Sequence, residues 1–308
     1  MTKGTSSMTL FTDTLKSHDK IEKTINRYGY APEHNFWWYQ CQNDKDSKTV
    51  FMESHGGTGL LTIEDIKKKK CSVFSSPLAP HKLRTEIIIE YLNYALFERK
   101  FEKVVFELEY SLYKELTNSM PNKMKEKHLN YTLTWPIYNL AEFDQTLTGN
   151  KWKTLRKQNN KFYKNHNVSV VDAKDYKNKN ELIAIIEDWR KNRKGKDRAN
   201  LSHYKNFIIN NFNGSDEARV FIVDDKACGI NAGWKIPNIN RYYGALGIHN
   251  YSLDGLGDAL YLEDLIYLKQ KGYKEADMGG GESALTNFKN KFRPKSFYKT
   301  YIFSVVKT

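Results

Sequence analysis

The sequence predicts an α+β fold of two similar halves, each a mixed, largely antiparallel sheet flanked by helices. Three observations predict it. Short strand-like segments alternate with amphipathic helical ones along all 308 residues. The rhythm of strands, helix and further strands occurs once before and once after residues 147–150, where Thr148-Gly149-Asn150 breaks the pattern. A chain of this length suits two domains, here 1–148 and 149–308. Its 40% apolar and 28% charged residues are those of an ordinary globular protein.

In the first half, residues 1–19 read as a loose polar tail with a short helix. Strands are expected at 34–41, 49–53 and 59–63, with turns at Asn43-Asp44 and His55-Gly56-Gly57, as an antiparallel meander. A further strand at 71–75 follows the four-lysine run 67–70. A helix over 84–99 places Ile88, Leu92, Ala95 and Leu96 on one stripe. Residues 103–108 form a short apolar strand. Residues 129–140 alternate well, and Pro136 marks them as an edge or a strand end.

In the second half, residues 151–164 put Trp152, Leu155, Asn159 and Phe162 on one stripe of a helix. Lys153, Arg156, Lys157, Lys161 and Lys164 form another, strongly basic face. A strand at 168–171, helices at 180–190 and 203–212, and strands at 218–223, 227–236 and 241–248 follow. A helix over 255–271 ends at Gly272. A strand at 275–278 runs into Gly279-Gly280-Gly281. A short helix at 283–291 and a last strand at 297–306 complete the chain.

Several function classes are excluded. No apolar run approaches the roughly 20 residues of a membrane helix, and residues 1–10 lack the apolar core of a signal peptide, so a cytoplasmic protein is expected. Cys41, Cys71 and Cys228 are odd in number and far apart, as idle thiols in a reducing compartment are. The eight histidines do not cluster, and no metal site is expected. The net charge of +13 is concentrated: residues 151–200 hold 15 basic and 6 acidic side chains. Such a block is the footprint of a polyanionic partner, or else a solvated lysine-rich surface.

Three segments could carry chemistry. Gly255 and Gly257, between a strand and a long helix, would let backbone amides and a helix N-terminus meet a phosphate or carboxylate. Asp277 followed by Gly279, Gly280 and Gly281 lies at the carboxyl end of a strand, where ligand crevices form. Lys289, Lys291 and Arg293, interleaved with Phe288 and Phe292 after Asn287, suit phosphates or a developing oxyanion. His249 could act as a base, and Glu263 or Asp264 could face the crevice and move a proton. The run Phe36-Trp37-Trp38-Tyr39 reads as core.

Residues 134–140 (TWPIYNL), the basic helix KWKTLRKQNNKF, the 255–268 loop and helix, and the block from Gly279 through LTNFK to KFRP resemble one family. It is the phosphatidylglycerol lysyltransferase C-terminal domain, with its soluble relatives, and the sequence is also similar to the FemABX aminoacyltransferases. Both belong to the GNAT superfamily. The resemblance implies tandem GNAT-like domains with the site in the second, and acyl or aminoacyl transfer to an amine or hydroxyl. It implies a donor that is aminoacyl-tRNA or acyl-CoA, with Lys289 and Lys291 as the cations of the final block. Ser252 stands where the usual phosphate loop opens with Gln or Arg, which favours aminoacyl-tRNA.

The leading expectation is therefore an aminoacyltransferase. Its basic faces, Lys153, Arg156, Lys157, Lys161, Arg190, Arg193 and Lys194, would grip a tRNA backbone. Lys289 or Lys291, with amides at 279–281, would stabilise the oxyanion, and Asp277 or Glu263 would take the proton. Two alternatives stand beside it: a coenzyme A-dependent N-acyltransferase, and a non-catalytic module that binds RNA or an anionic membrane surface.

Overall fold

The computed structural model describes residues 8–192 and 201–308. Each half of the chain makes an antiparallel run of strands, then a helix that crosses over to a parallel strand. In the first half the run is β1 (Thr9–Phe11), β2 (Ser47–Ser54), β3 (Thr58–Asp65) and β4 (Lys70–Val73). Helix α3 (His81–Asn93) then leads to β5 (Lys103–Glu109), parallel to β4. In the second half β8 (Val168–Asp172), β9 (Glu217–Val223), β10 (Lys226–Lys235) and β11 (Arg241–His249) form the run. Helix α8 (Leu256–Gln270) leads to β12 (Glu275–Asp277), parallel to β11.

The halves share one sheet. β7 (Tyr131–Asn139) pairs with β12, and the last strand, β13 (Ser296–Lys307), lies between β7 and β5. A short β6 (Met124–Glu126) pairs with the end of β13. Period-two alternation then assigns every side chain of these strands to one of two faces. Val104, Phe106, Leu108 and Phe303 pack under α3 and α4 (Tyr110–Ser119). On β9, Ala218 and Val220 pack under α6 (Lys179–Asn192) and α7 (Leu201–Ile209), while Phe221 and Val223 face α5 (Lys153–Asn165) and α8 on the opposite side.

Three expectations are corrected. Residues 34–41 are not a strand but hold helix α2 (Phe36–Gln40). Its aromatics do not alternate: Phe36 and Tyr39 are buried three apart, and Asn35 caps the helix by accepting the Trp38 N–H (3.0 Å). The supposed tail continues into α1 (His18–Tyr28), which buries Ile21 and Ile25. Pro136 lies in a central strand. Thr134 exchanges both backbone hydrogen bonds with Gly281, and Ile137 is opposite Asp277. Pro136 points its missing N–H into the gap between these two contacts, where no ladder partner is needed.

The segment 29–35 is clamped from both halves. The Trp234 indole donates to the Pro32 carbonyl (2.8 Å), Asn238 donates to that of Gly29 (2.8 Å), and Asn35 donates to that of Gly214 (2.8 Å). Within it, His34 is 1% exposed. Its Nδ1 accepts the Tyr30 and Ala31 N–H groups, and its Nε2 donates to the Ser76 carbonyl (2.9 Å). Burial pulls its pKa down to about 4, so the ring is a neutral brace with a fixed tautomer.

Phe303 of β13 is fully buried and stacks on Phe106 at 5.3 Å. Phe303→Ala is expected to cost about 3–5 kcal/mol, read as a lower urea midpoint with an unchanged slope.

Candidate functional site

Strands β11 and β12 pair only from Arg241–Glu275 to Tyr243–Asp277. Beyond that point β11 runs on to His249, while β12 stops and the chain turns away through Gly279, Gly280 and Gly281. The two parallel strands therefore splay, and a cavity of about 1610 Å³ opens between and beneath them. Its floor carries Val105 and Glu107 of β5, Leu133 and Trp135 of β7, and Tyr243 of β11. Glu33, Trp38, His203 and Tyr204 roof it from the α2 and α7 side. Through the splay it reaches Gly257, Leu260 and Tyr261 of α8, with His249 and Tyr251. At its other end lie Asp65, Lys68 and Lys70 of the β3–β4 hairpin.

The glycine turn is held by two buried charges. Asp277 is fully buried, accepting the Gly279 N–H (3.0 Å) on one oxygen and the Tyr298 hydroxyl (2.7 Å) on the other. Burial, only partly offset by these bonds, pushes its pKa up to about 6. Lys289, on α9 (Ser283–Asn290), donates to the carbonyls of Met278 and Gly279 (2.6 Å each). Gly279 adopts a left-handed φ of +81°, and a Cβ on Gly280 would lie 2.5 Å from the Trp135 ring. Both positions thus require glycine. The turn delivers Ser283, Ala284 and Leu285, the first turn of α9, to the cavity wall. Their amides precede the first intrahelical bond, Thr286 N–H to Glu282, and so have no acceptor within the helix.

The other expected residues divide. Gly257 lines the cavity, and its missing side chain makes room for His249, whose Nε2 would be 2.7 Å from a Cβ there. Burial lowers the His249 pKa to about 4. Gly255 opens α8 with a φ of +84°, and a Cβ there would lie 3.6 Å from the Phe162 ring, so α5 ends against the start of α8. Lys291 is turned away to Asp258 (2.9 Å), and Arg293 donates to the Lys151 carbonyl (2.9 Å). Glu263 pairs with Arg219 (3.3 Å), as Asp264 does (2.5 Å), and neither carboxylate lines the cavity. The expected proton-transfer role of Glu263 and the oxyanion role of Lys291 therefore have no geometric basis. Asn287 is exposed on the outer side, beside Tyr131 and Thr132.

The basic block does not form one patch. Lys153, Lys157 and Lys161 project outward from α5, on the α8 side of the sheet. Arg156 is bonded to the carbonyls of Leu147 and Gly149. Arg190 is exposed on α6, which covers the opposite face. Arg193 and Lys194 lie outside the described residues.

Residue reading missed the acidic end of the cavity. Glu107 accepts the Thr300 hydroxyl (2.7 Å), which itself accepts the Trp135 indole N–H (2.8 Å). Burial pushes the Glu107 pKa up to about 7. Glu33, 7% exposed, is pushed up by burial and then by Glu107 and Asp277. The available signal was a glutamate in register with the floor of an otherwise apolar strand, KVVFEL. No group of three or more potential metal ligands occurs among the described residues.

Repeated meander–helix–parallel-strand units, with a splay that receives a helix N-terminus and a glycine turn, make up a tandem GNAT fold. The solved tandem GNAT protein from the clavulanic acid biosynthesis pathway has the same fold (TM-score 0.56, 8% identity, 98% of each chain covered). So does FemX (TM-score 0.61, 10% identity, 95% of this chain and 96% of that one). The C-terminal domain of a putative lysylphosphatidylglycerol synthetase from Agrobacterium fabrum matches at TM-score 0.66 with 14% identity, over 96% of this chain and 92% of that one. No curated protein matches the sequence. Residues 30–304 match the phosphatidylglycerol lysyltransferase C-terminal family, and the chain belongs to that family. Its activity class is accordingly that of a transferase acting on acyl groups. No described helix is long and apolar enough to cross a membrane.

A carboxyl whose folded pKa is raised stabilises the fold below its unfolded value and loses that advantage as pH rises through the folded one. Ionising Glu107 therefore costs stability between about pH 4.5 and 7. Glu107→Gln is expected to lose less stability than the wild type over that window, measured by thermal melts at a series of pH values.

Proposed function

We propose that the protein transfers an aminoacyl group from aminoacyl-tRNA to an amine or hydroxyl acceptor. The observation that carries this reading is the position of α5. Its C-terminal end, at Phe162, packs against Gly255 at the start of α8, and Lys153, Lys157 and Lys161 are exposed along the same helix. A nucleic-acid backbone on that face would bring its 3′ end to the opening at His249 and Gly257. The ester is already activated, so the enzyme mainly orients it and stabilises the tetrahedral oxyanion. We assign that stabilisation to the glycine turn and the first-turn amides of α9. Asp277 and Lys289 act through the turn as positioning residues.

Coenzyme A is the competing donor, since Gly255 and Gly257 stand at a helix start, where such donors place their phosphates. The His249 ring packed on Gly257 is an obstacle to a pyrophosphate there. Contact with an anionic lipid surface, and a cytoplasmic location, belong to the same proposal.

The test is binding of charged and deacylated tRNA across a salt series. Charged tRNA is expected to bind more tightly, with affinity falling steeply as salt rises. Changing Lys153, Lys157 and Lys161 to Glu should weaken binding and reduce the log–log salt slope by about 2–3. Saturable acetyl-CoA binding with no tRNA binding at moderate salt would overturn the proposal. Lys289→Met is expected to lower transfer by about 10²-fold or more while leaving tRNA affinity unchanged, read as a fall in kcat without a rise in tRNA Kd.

A further inference from the structure

Glu33 and Glu107 face the same cavity from opposite walls, one on the clamped segment 29–35 and the other on β5. Fully buried Asp277 lies close enough to act on Glu33. Among the described residues, no lysine or arginine is paired with Glu33 or Glu107. Buried carboxylates are ordinarily paired or hydrogen-bonded, because an isolated charge in a low-dielectric interior is costly. Here the protein supplies Glu107 with one hydroxyl, from Thr300, and leaves the remaining demand to whatever enters.

A second, independent feature points to a ligand with N–H donors. His203 is 8% exposed, lines the same cavity and stands at 5.2 Å from the Trp38 ring. Its Nδ1 has no hydrogen-bond partner. Burial holds the ring neutral, with a pKa of about 4, so it can offer a lone pair. The remaining walls are aromatic. Trp135 is stacked on Tyr298 (5.5 Å) and adjoins Tyr243 (6.1 Å), and ring faces attract cations.

We propose that this acidic, aromatic end of the cavity binds the free ammonium of the transferred aminoacyl group, with Glu33 and Glu107 as its counter-charges. The inference rests on the aminoacyl-transfer reading and deepens it. A plain acyl chain such as acetyl brings no cation to replace the missing partner, so the site selects aminoacyl over simple acyl groups. Glu33 is the specificity element contributed by the first half of the chain. The splay that receives the donor belongs to the second, so the donor group spans the seam.

The experiment uses the whole chain and small probes, without tRNA. Binding of glycinamide and alaninamide is measured by calorimetry and by thermal shift, beside their N-acetyl derivatives, which lack the charge. The charged amides are expected to bind saturably and raise the melting temperature, and the acetylated ones to bind at least tenfold more weakly. Glu33→Gln and Glu107→Gln are each expected to cost at least tenfold in amide affinity. Each is also expected to leave the ligand-free melting temperature equal or higher, because a buried carboxyl whose ionisation is disfavoured is replaced by a neutral amide. Either variant alone suffices should the other fail to fold. Equal affinity for charged and acetylated probes, no binding of either, or unchanged affinity in a folded variant would overturn the assignment. Because no tRNA is present, amide binding with no tRNA binding would sink the donor proposal and leave this one standing.

Discussion

The separation of β11 from β12 after Asp277 is the constraint on which the rest of the site depends. Two paired parallel strands present no opening, since their backbone groups satisfy each other. Here β11 continues for six residues without its neighbour, and the polar groups so released must find other partners. Asp277, Lys289 and the exchange between Gly281 and Thr134 hold the diverging chain in place. Each acts on backbone, and Asp277 also accepts the Tyr298 hydroxyl. The splay is thus a built opening with a fixed shape, and it delivers the start of α9 to the cavity wall.

A second dependence runs across the seam. β13 is the last strand of the chain, yet it lies between β5 and β7 and contributes Thr300 and Tyr298 to the cavity side. Glu33 is aimed by a segment whose Pro32 and Gly29 carbonyls accept from Trp234 and Asn238, and whose Tyr30 and Ala31 N–H groups donate to a neutral His34. The acidic end of the cavity therefore exists only when both halves are folded and joined. Neither half carries the whole site, although each repeats the same order of elements.

The elements of the second half were legible because their periodicity was strong and their turns carried Gly, Asn or Asp. Strands 218–223, 227–236 and 241–248 fall within one or two residues of those observed. The first half was less legible where local chemistry overrode appearance. Three adjacent aromatics at 36–38 look like a strand, but an asparagine cap and burial three residues apart make a helix. Pro136 looked like an edge because sequence cannot reveal a gap in a neighbour's ladder. In the site, Asp277, the glycine turn and Lys289 were visible as a local motif. Glu33, Glu107 and His203 were not, since 74 residues separate the first two and their proximity arises only from the sheet order. Lys291 and Glu263 misled for the converse reason: proximity in sequence said nothing of the partners, Asp258 and Arg219, that turn them away.

The placement of charge completes the argument. The chain carries a net +13, yet its cavity is lined at the floor and roof by carboxylates. Random placement of an excess of basic residues does not put unpaired acids in a cavity large enough for a substrate. On the proposed aminoacyl-tRNA reading, the two signs match a donor with two unlike ends: a polyanionic handle outside on α5, and a cationic head inside. On that reading an outward basic face would gather the handle at long range and lose strength with salt. The interior pair acts at contact distance, where water is excluded and salt screens little. Attraction and discrimination are then separated in space, so altering one surface changes capture while altering the other changes which group is accepted.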